Sequence, residues 1–142
     1  MSQTLPFEIF EKYFSCFSGH MVEYAGMLYT TAEHAYHCQR YTDAEIIREI
    51  QTARSAFLAW EVSQKYKSQQ IENWDVKKSE VMEGILRAKL SQHTDVRQAL
   101  LDSGEMIIVK NHPLDVFWGN GVGGLGQNEL GKLWMKLREE LI

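Results

Sequence analysis

Glu33, Tyr36, His37 and Arg40 fall at i, i+3, i+4 and i+7 in the run from Thr30 to Arg40, so on a helix they share one face. A carboxylate, two ring groups and a guanidinium side by side are the parts of an acid–base site. Glu33 suits a general base or an electrostatic stabiliser, and Arg40 suits a clamp on an anion. The same spacing also fits an ordinary solvated helical face. Glu33 and His37 lack the third protein ligand that a catalytic zinc uses, and no H-E-x-x-H is present, so no metal or other cofactor is expected.

A second cluster surrounds the glycines. Six of the ten glycines stand between Gly119 and Gly131. A loop this dense in glycine costs conformational entropy on ordering, and it could let backbone N–H groups approach a phosphate at a helix N-terminus. It lacks the Lys-Ser or Lys-Thr ending of a P-loop. Asp115, just before the loop, is placed to be a second carboxylate. Trp74 and Trp118 stand at element boundaries, where an indole ring could line a pocket and stack on a heterocycle. Core packing is the competing reading for both.

Several elements must position these groups. The aromatic, glycine-punctuated first thirty residues read as short strands and turns, with a hairpin of 21–24 and 27–30 around Ala25-Gly26. Thr31 is a plausible N-cap for a helix from Ala32 to Tyr41, with Glu33 in its first turn where the helix dipole favours negative charge. From Asp43 to about Tyr66 the apolar residues Ile46, Ile47, Ile50, Ala53, Phe57 and Trp60 recur at three- and four-residue steps, which predicts one long helix with that face buried. Further helices are predicted over Asp75–Leu90 and Asp95–Leu101, the latter stopped by Gly104. Met106–Val109 is β-branched and short, hence a strand. A last helix carries Leu130, Leu133, Trp134, Leu137 and Leu141 on one side. The expected fold class is α+β, predominantly helical, one domain over residues 1–142 with a few short strands.

Composition narrows the function. The 142 residues hold 44% hydrophobic side chains, enough for one core without staples. The formal net charge of −4 and pI near 5.7 argue against broad attraction to nucleic acid, although a local cationic pocket for a small anion remains compatible. Cys16 and Cys38 lack a C-x-x-C spacing and are too few for a disulfide framework, which fits a reducing compartment, by default the cytoplasm. No signal-peptide pattern or membrane-length apolar run is present.

Taken in order, these segments resemble the YbiA-like, or NADAR, family over nearly the whole chain. The landmarks are Phe14-Ser15-Cys16-Phe17, Thr31-Ala32-Glu33-His34-Ala35-Tyr36, and Asn73-Trp74-Asp75 with Met82 and Lys89 following. They close with Asp115-Val116-Phe117-Trp118-Gly119-Asn120-Gly121, Gly126-Gln127-Asn128-Glu129-Leu130-Gly131 and Met135-Lys136-Leu137-Arg138.

The resemblance implies hydrolysis of an N-glycosidic bond. The substrate would be a phosphorylated ribosyl base, such as an early phosphoribosyl-pyrimidine intermediate of riboflavin synthesis, or an ADP-ribosyl adduct of guanine. Nucleic acid would be a partner only as the carrier of such an adduct, and no membrane is implied. By analogy Glu33 and Asp115 would act on the sugar and the attacking water. Trp74 and Trp118 would bound the base or ribose, Gly126 with Asn128 would hold the phosphate side, and Ser15, Cys16, Phe17 and Gly119 would line the substrate site. His34, His37, Arg40 or Lys89 could protonate the leaving base, and Lys89 is the matching lysine for a Schiff-base route on the opened ribose.

Three positions depart from the family pattern. Cys16 stands where the family usually has Asn, Arg40 where it has Lys, and Lys110 near an acidic position. Arg40 keeps the charge but does not readily deprotonate, and Cys16 removes an amide that donates and accepts. These departures define the alternative, a non-catalytic module that binds ADP-ribose or a related nucleotide.

Overall fold

The computed structural model describes residues 3–141; Met1, Ser2 and Ile142, which the sequence reading takes into the same domain, lie outside the described residues. The architecture is α+β and predominantly helical, with one two-stranded sheet among the described residues. Contacts group the chain into two compact units interleaved in sequence, one of Met1–Ser15 with His93–Ile142 and the other of Cys16–Gln92.

The Cys16–Gln92 unit begins with a hairpin. Strands β1 (Val22–Tyr24) and β2 (Met27–Tyr29) pair antiparallel with Val22 opposite Tyr29. Ala25 and Gly26 turn between them at φ of 52° and 82°, the positive pair that suits the right-handed twist of a hairpin. Helix α2 (Ala32–Cys38) starts where predicted, since the Thr31 side chain accepts the His34 N–H. It ends three residues before Tyr41, because Arg40 and Tyr41 bond back to the carbonyls of His37 and Cys38 and tighten the last turn.

The predicted single helix from Asp43 to Tyr66 is two helices, α3 (Ala44–Gln51) and α4 (Ala56–Lys65). Asp43 caps the first and Ser55, with extended backbone, caps the second. The break redirects the face. Ile46 and Ile50 are buried as expected, but α4 buries Ala56, Ala59 and Ser63, leaving Phe57 and Trp60 exposed. Small residues on that side allow α4 to approach α2 closely. Helix α5 (Trp74–Gln92) follows Asn73, which takes a left-handed φ of 62°. It turns Met82, Ile85, Leu86, Lys89 and Leu90 inward. Its end is tied to β1, where the Gln92 amide bonds both the N–H and the C=O of Glu23.

In the other unit, helical turns replace the strands predicted near the N-terminus. A short helix, α1 (Phe7–Ile9), widens into a π-type turn over Phe10–Phe14. Phe10 and Phe14, four apart, both point into the core, and Trp134 Nε1 donates to the Phe14 carbonyl at 2.9 Å. Helix α6 (Thr94–Asp102) buries Val96 and Leu100 and stops at Gly104, at φ +57°. Among the described residues the strand predicted over Met106–Val109 is one parallel bridge, Thr4 to Ile107, since only Ile107 of that run finds backbone partners among the described residues of the N-terminal segment. Helix α7 (Glu129–Glu140) buries Leu130, Leu133, Trp134 and Leu137, as its spacing predicts.

Candidate active site

The α2 face is not solvated. Tyr36, His37 and Arg40 are buried, and the Glu33 side chain is 12% exposed, so the bland reading of this spacing fails. His37 Nε2 lies 2.7 Å from Glu33 Oε2, and His37 Nδ1 lies 3.1 Å from Arg40 Nη1. The other donors of Arg40, Nη2 and Nε, meet Gln70 Oε1 at 2.7 and 3.2 Å. Its guanidinium also stands 5.8 Å from the Trp74 ring centre, and Trp74 packs on Tyr36 with centroids 5.2 Å apart. The helical register thus delivers a carboxylate, an imidazole and a guanidinium in one line, with two aromatic rings beneath. Both ring nitrogens of His37 are taken, which leaves neither for a metal.

Neighbouring residues sort by what they touch. His34, expected as a substrate-binding donor, is fully buried: Nε2 bonds the Ala53 carbonyl at 2.9 Å and Nδ1 bonds Thr31 Oγ1 at 2.8 Å. It ties the break between α3 and α4 to the start of α2. Cys16 is buried; its carbonyl accepts the Glu33 N–H and its thiol lies 3.7 Å from Met82 Sδ. Phe17 is exposed, whereas Ser15, in the other unit, is buried with its N–H on the Phe10 carbonyl. Trp74 is buried, so its ring serves Arg40 and Tyr36 rather than an open pocket wall. Burial pushes the Cys38 thiol up to about 12, which makes it inert at neutral pH.

Lys89 is almost wholly buried, and Nζ donates to Ser18 Oγ at 2.7 Å; Ser18 Oγ in turn lies 2.7 Å from His20 Nδ1. Sequence reasoning missed Ser18, His20 and Gln70. Each lies outside the family landmarks quoted above, and the 71- and 30-residue separations from Lys89 and Arg40 carry no local signal.

In the other unit, Asp115 is a loop organiser. Its Oδ1 accepts the Trp118 N–H at 2.9 Å and Oδ2 pairs with Lys110 Nζ at 2.7 Å. Burial alone would raise this carboxyl, but the Lys110 hydrogen bond and charge, with the N–H groups of Trp118 and Gly119, outweigh it and hold it below its ordinary value. Lys110, a departure from the family pattern, is therefore the counter-ion of Asp115. Trp118, half-buried, meets Phe117 edge to face at 4.7 Å.

The glycines of this loop are largely explained by the loop itself. A Cβ on Gly126 would lie 2.6 Å from the Gly119 carbonyl oxygen, and one on Gly131 would lie 2.0 Å from that of Ile108. Gly126 N–H bonds the Asn120 carbonyl and Asn128 N–H bonds that of Gly119. The Asn128 amide links the Ile108 carbonyl to the Lys110 N–H. The N–H groups of Gly126 and Asn128, expected on the phosphate side, are thus engaged by the loop's own backbone.

Comparison with known proteins identifies the family. The NADAR domain profile matches residues 4–142. The chain is 35% identical over 131 residues to an N-glycosidase of Nostoc punctiforme, spanning 90% of this chain and 84% of that protein. It is 34% identical over 128 residues to the N-glycosidase YbiA of Escherichia coli, spanning 90% and 80%. A riboflavin biosynthesis protein of Vibrio vulnificus is 34% identical over 117 residues, 82% of this chain but 32% of that longer protein. The NMR structure of E. coli YbiA superposes with a TM-score of 0.86 at 32% identity, covering 99% of this chain and 86% of that one. The chain belongs to the NADAR domain family and is a hydrolase of N-glycosyl bonds. No helix among the described residues is long and apolar enough to cross a membrane.

Proposed function

We propose that the chain hydrolyses the C–N bond between a phosphorylated ribose and a nitrogen base, of the kind found in early pyrimidine intermediates of riboflavin synthesis. The observation that carries the reading is Glu33: a carboxylate with little exposure, one oxygen fixed by His37 and the other without a protein partner among the described residues. The riboflavin names of relatives from Vibrio vulnificus and Zea mays support this substrate class over an ADP-ribosyl adduct.

Breaking a ribosyl C–N bond builds positive charge on the anomeric carbon. A fixed carboxylate therefore stabilises the transition state more than the ground state, and low exposure strengthens the effect. The bonding electrons leave with the nitrogen. Water adds to the anomeric carbon, giving up one proton through Glu33, and one proton ends on the departing base. Asp115 is assigned to holding Trp118 and Gly119 in place, and Lys89 to the reaction itself as a buried amine or ammonium.

Incubation with ribosylaminopyrimidine phosphate, followed by mass detection, should show free base and ribose phosphate in equal amounts. Glu33→Gln should remove this turnover while melting as the wild type does. Ligand-dependent melting shifts without product would instead identify a binding module.

A further inference from the structure

His37 stands between two groups of opposite capacity, and that fixes where its proton lies. Arginine can only donate hydrogen bonds. The contact of 3.1 Å between Arg40 Nη1 and His37 Nδ1 therefore requires Nδ1 to be the acceptor, with its lone pair toward the guanidinium. The ring proton is then on Nε2, 2.7 Å from Glu33 Oε2, and it is donated to the carboxylate.

We infer that Arg40 and His37 are positioning residues that present Glu33 Oε1 to substrate, and that His37 is not the acid or base of the reaction. The inference rests on the hydrolase reading for its purpose, not for its geometry. Three features give the line one direction. Arg40 is buried and its other donors are tied to Gln70 Oε1, so the guanidinium cannot swing away without losing them. Its guanidinium carbon also lies over the Trp74 ring, 5.8 Å from the ring centre. At the other end Glu33 has one oxygen held by Nε2–H, while Oε1 has no protein partner among the described residues. No buried side-chain nitrogen or oxygen among them is left unsatisfied, so Oε1 must reach accessible space. The sequence of bonds Gln70–Arg40–His37–Glu33 thus ends on one open carboxylate oxygen.

The same geometry explains why a cation is needed at position 40. An apolar residue there would release His37 to take either tautomer. With the proton on Nδ1, Nε2 would face Glu33 Oε2 as a second acceptor, and the carboxylate would turn away.

Long-range nitrogen–proton NMR on ligand-free protein reads the tautomer directly. We expect a protonated Nε2 and an acceptor Nδ1 at His37 in the wild type, and loss of that single state in Arg40→Met. Kinetics provide the second measurement. A glutamine at 37 can still place an amide N–H against Glu33, so His37→Gln should keep kcat within roughly tenfold, whereas His37→Leu should lower it by about 100-fold with little change in KM. A proton on Nδ1 in the wild type overturns the inference. So does a His37→Gln protein that folds yet is as slow as His37→Leu, because proton transfer by the ring would then be essential. Absence of wild-type turnover sinks the hydrolase reading alone, since the tautomer is measured without substrate.

Discussion

Asp115 Oδ2 lies 2.7 Å from Lys110 Nζ while Oδ1 accepts the Trp118 N–H, so one carboxylate binds a lysine to the turn that carries an indole. Its folded-state pKa is lowered, so this link contributes stability in full above the ordinary carboxyl value of 3.8 and loses it as pH falls through the lower folded value. Asp115→Asn should cost about 1.5–3 kcal/mol at neutral pH, the range for hydrogen bonds to charged groups. Urea unfolding of both proteins at neutral and strongly acidic pH checks this; the gap between them should shrink in acid. Lys110→Met should raise the Asp115 carboxyl, since burial then acts with one opponent fewer, and a carbon-13 titration of that side chain reads it.

Lys89 separates function from stability. A buried ammonium carries a desolvation cost, so an apolar residue of similar length can match it in stability. Lys89→Met should unfold at a temperature close to that of the wild type while turnover of the ribosyl pyrimidine is abolished. A protein that fails to fold would assign Lys89, with Ser18, to structure instead.

Gly131, in the first turn of α7, and Gly123, in the loop before it, respond differently to a methyl group. Gly131→Ala drives a Cβ to 2.0 Å from a backbone carbonyl, which neither partner can relieve without moving α7. It should cost ~3 kcal/mol or more. Gly123→Ala meets no atom within 4 Å and pays only for its φ of +65°, about 1 kcal/mol. Denaturant midpoints of the two variants measure the difference.

Local signals in the sequence were read well where one residue acts on its neighbours. Thr31 as a cap, the positive-φ pair Ala25-Gly26 and the α7 stripe all act within a few residues, and all stand where expected. Periodicity failed where it could not see a change of axis. Ile46 through Trp60 keeps a helical spacing across Thr52–Ser55, yet Ser55 restarts the helix and sends Phe57 and Trp60 outward. Met106–Val109 has strand-like residues but, among the described residues, a one-residue pairing, because strand identity depends on a partner elsewhere. In the site, the i, i+4, i+7 face was legible, whereas Gln70 and Ser18 come from chain closure alone. The glycine loop is ambiguous in sequence for a further reason: close backbone packing and phosphate binding demand the same residue.

His34 and His37 sit one turn apart on α2, and their bonds predict opposite consequences. His34, itself fully buried, bridges the Ala53 carbonyl to Thr31 Oγ1, so His34→Leu removes both hydrogen bonds and should cost about 1–3 kcal/mol. The loss falls on the junction of α2 with the α3–α4 break, so amide exchange should quicken first around Ala53 and Ser55. His37→Leu leaves Arg40 its Gln70 partner and removes a contact to a carboxylate that already reaches solvent. Its melting temperature should drop by less than that of His34→Leu, while its turnover falls further. Melting curves and rates on the two variants decide this; equal losses of stability would mean that the α2 face is a structural core rather than a place prepared for a sugar.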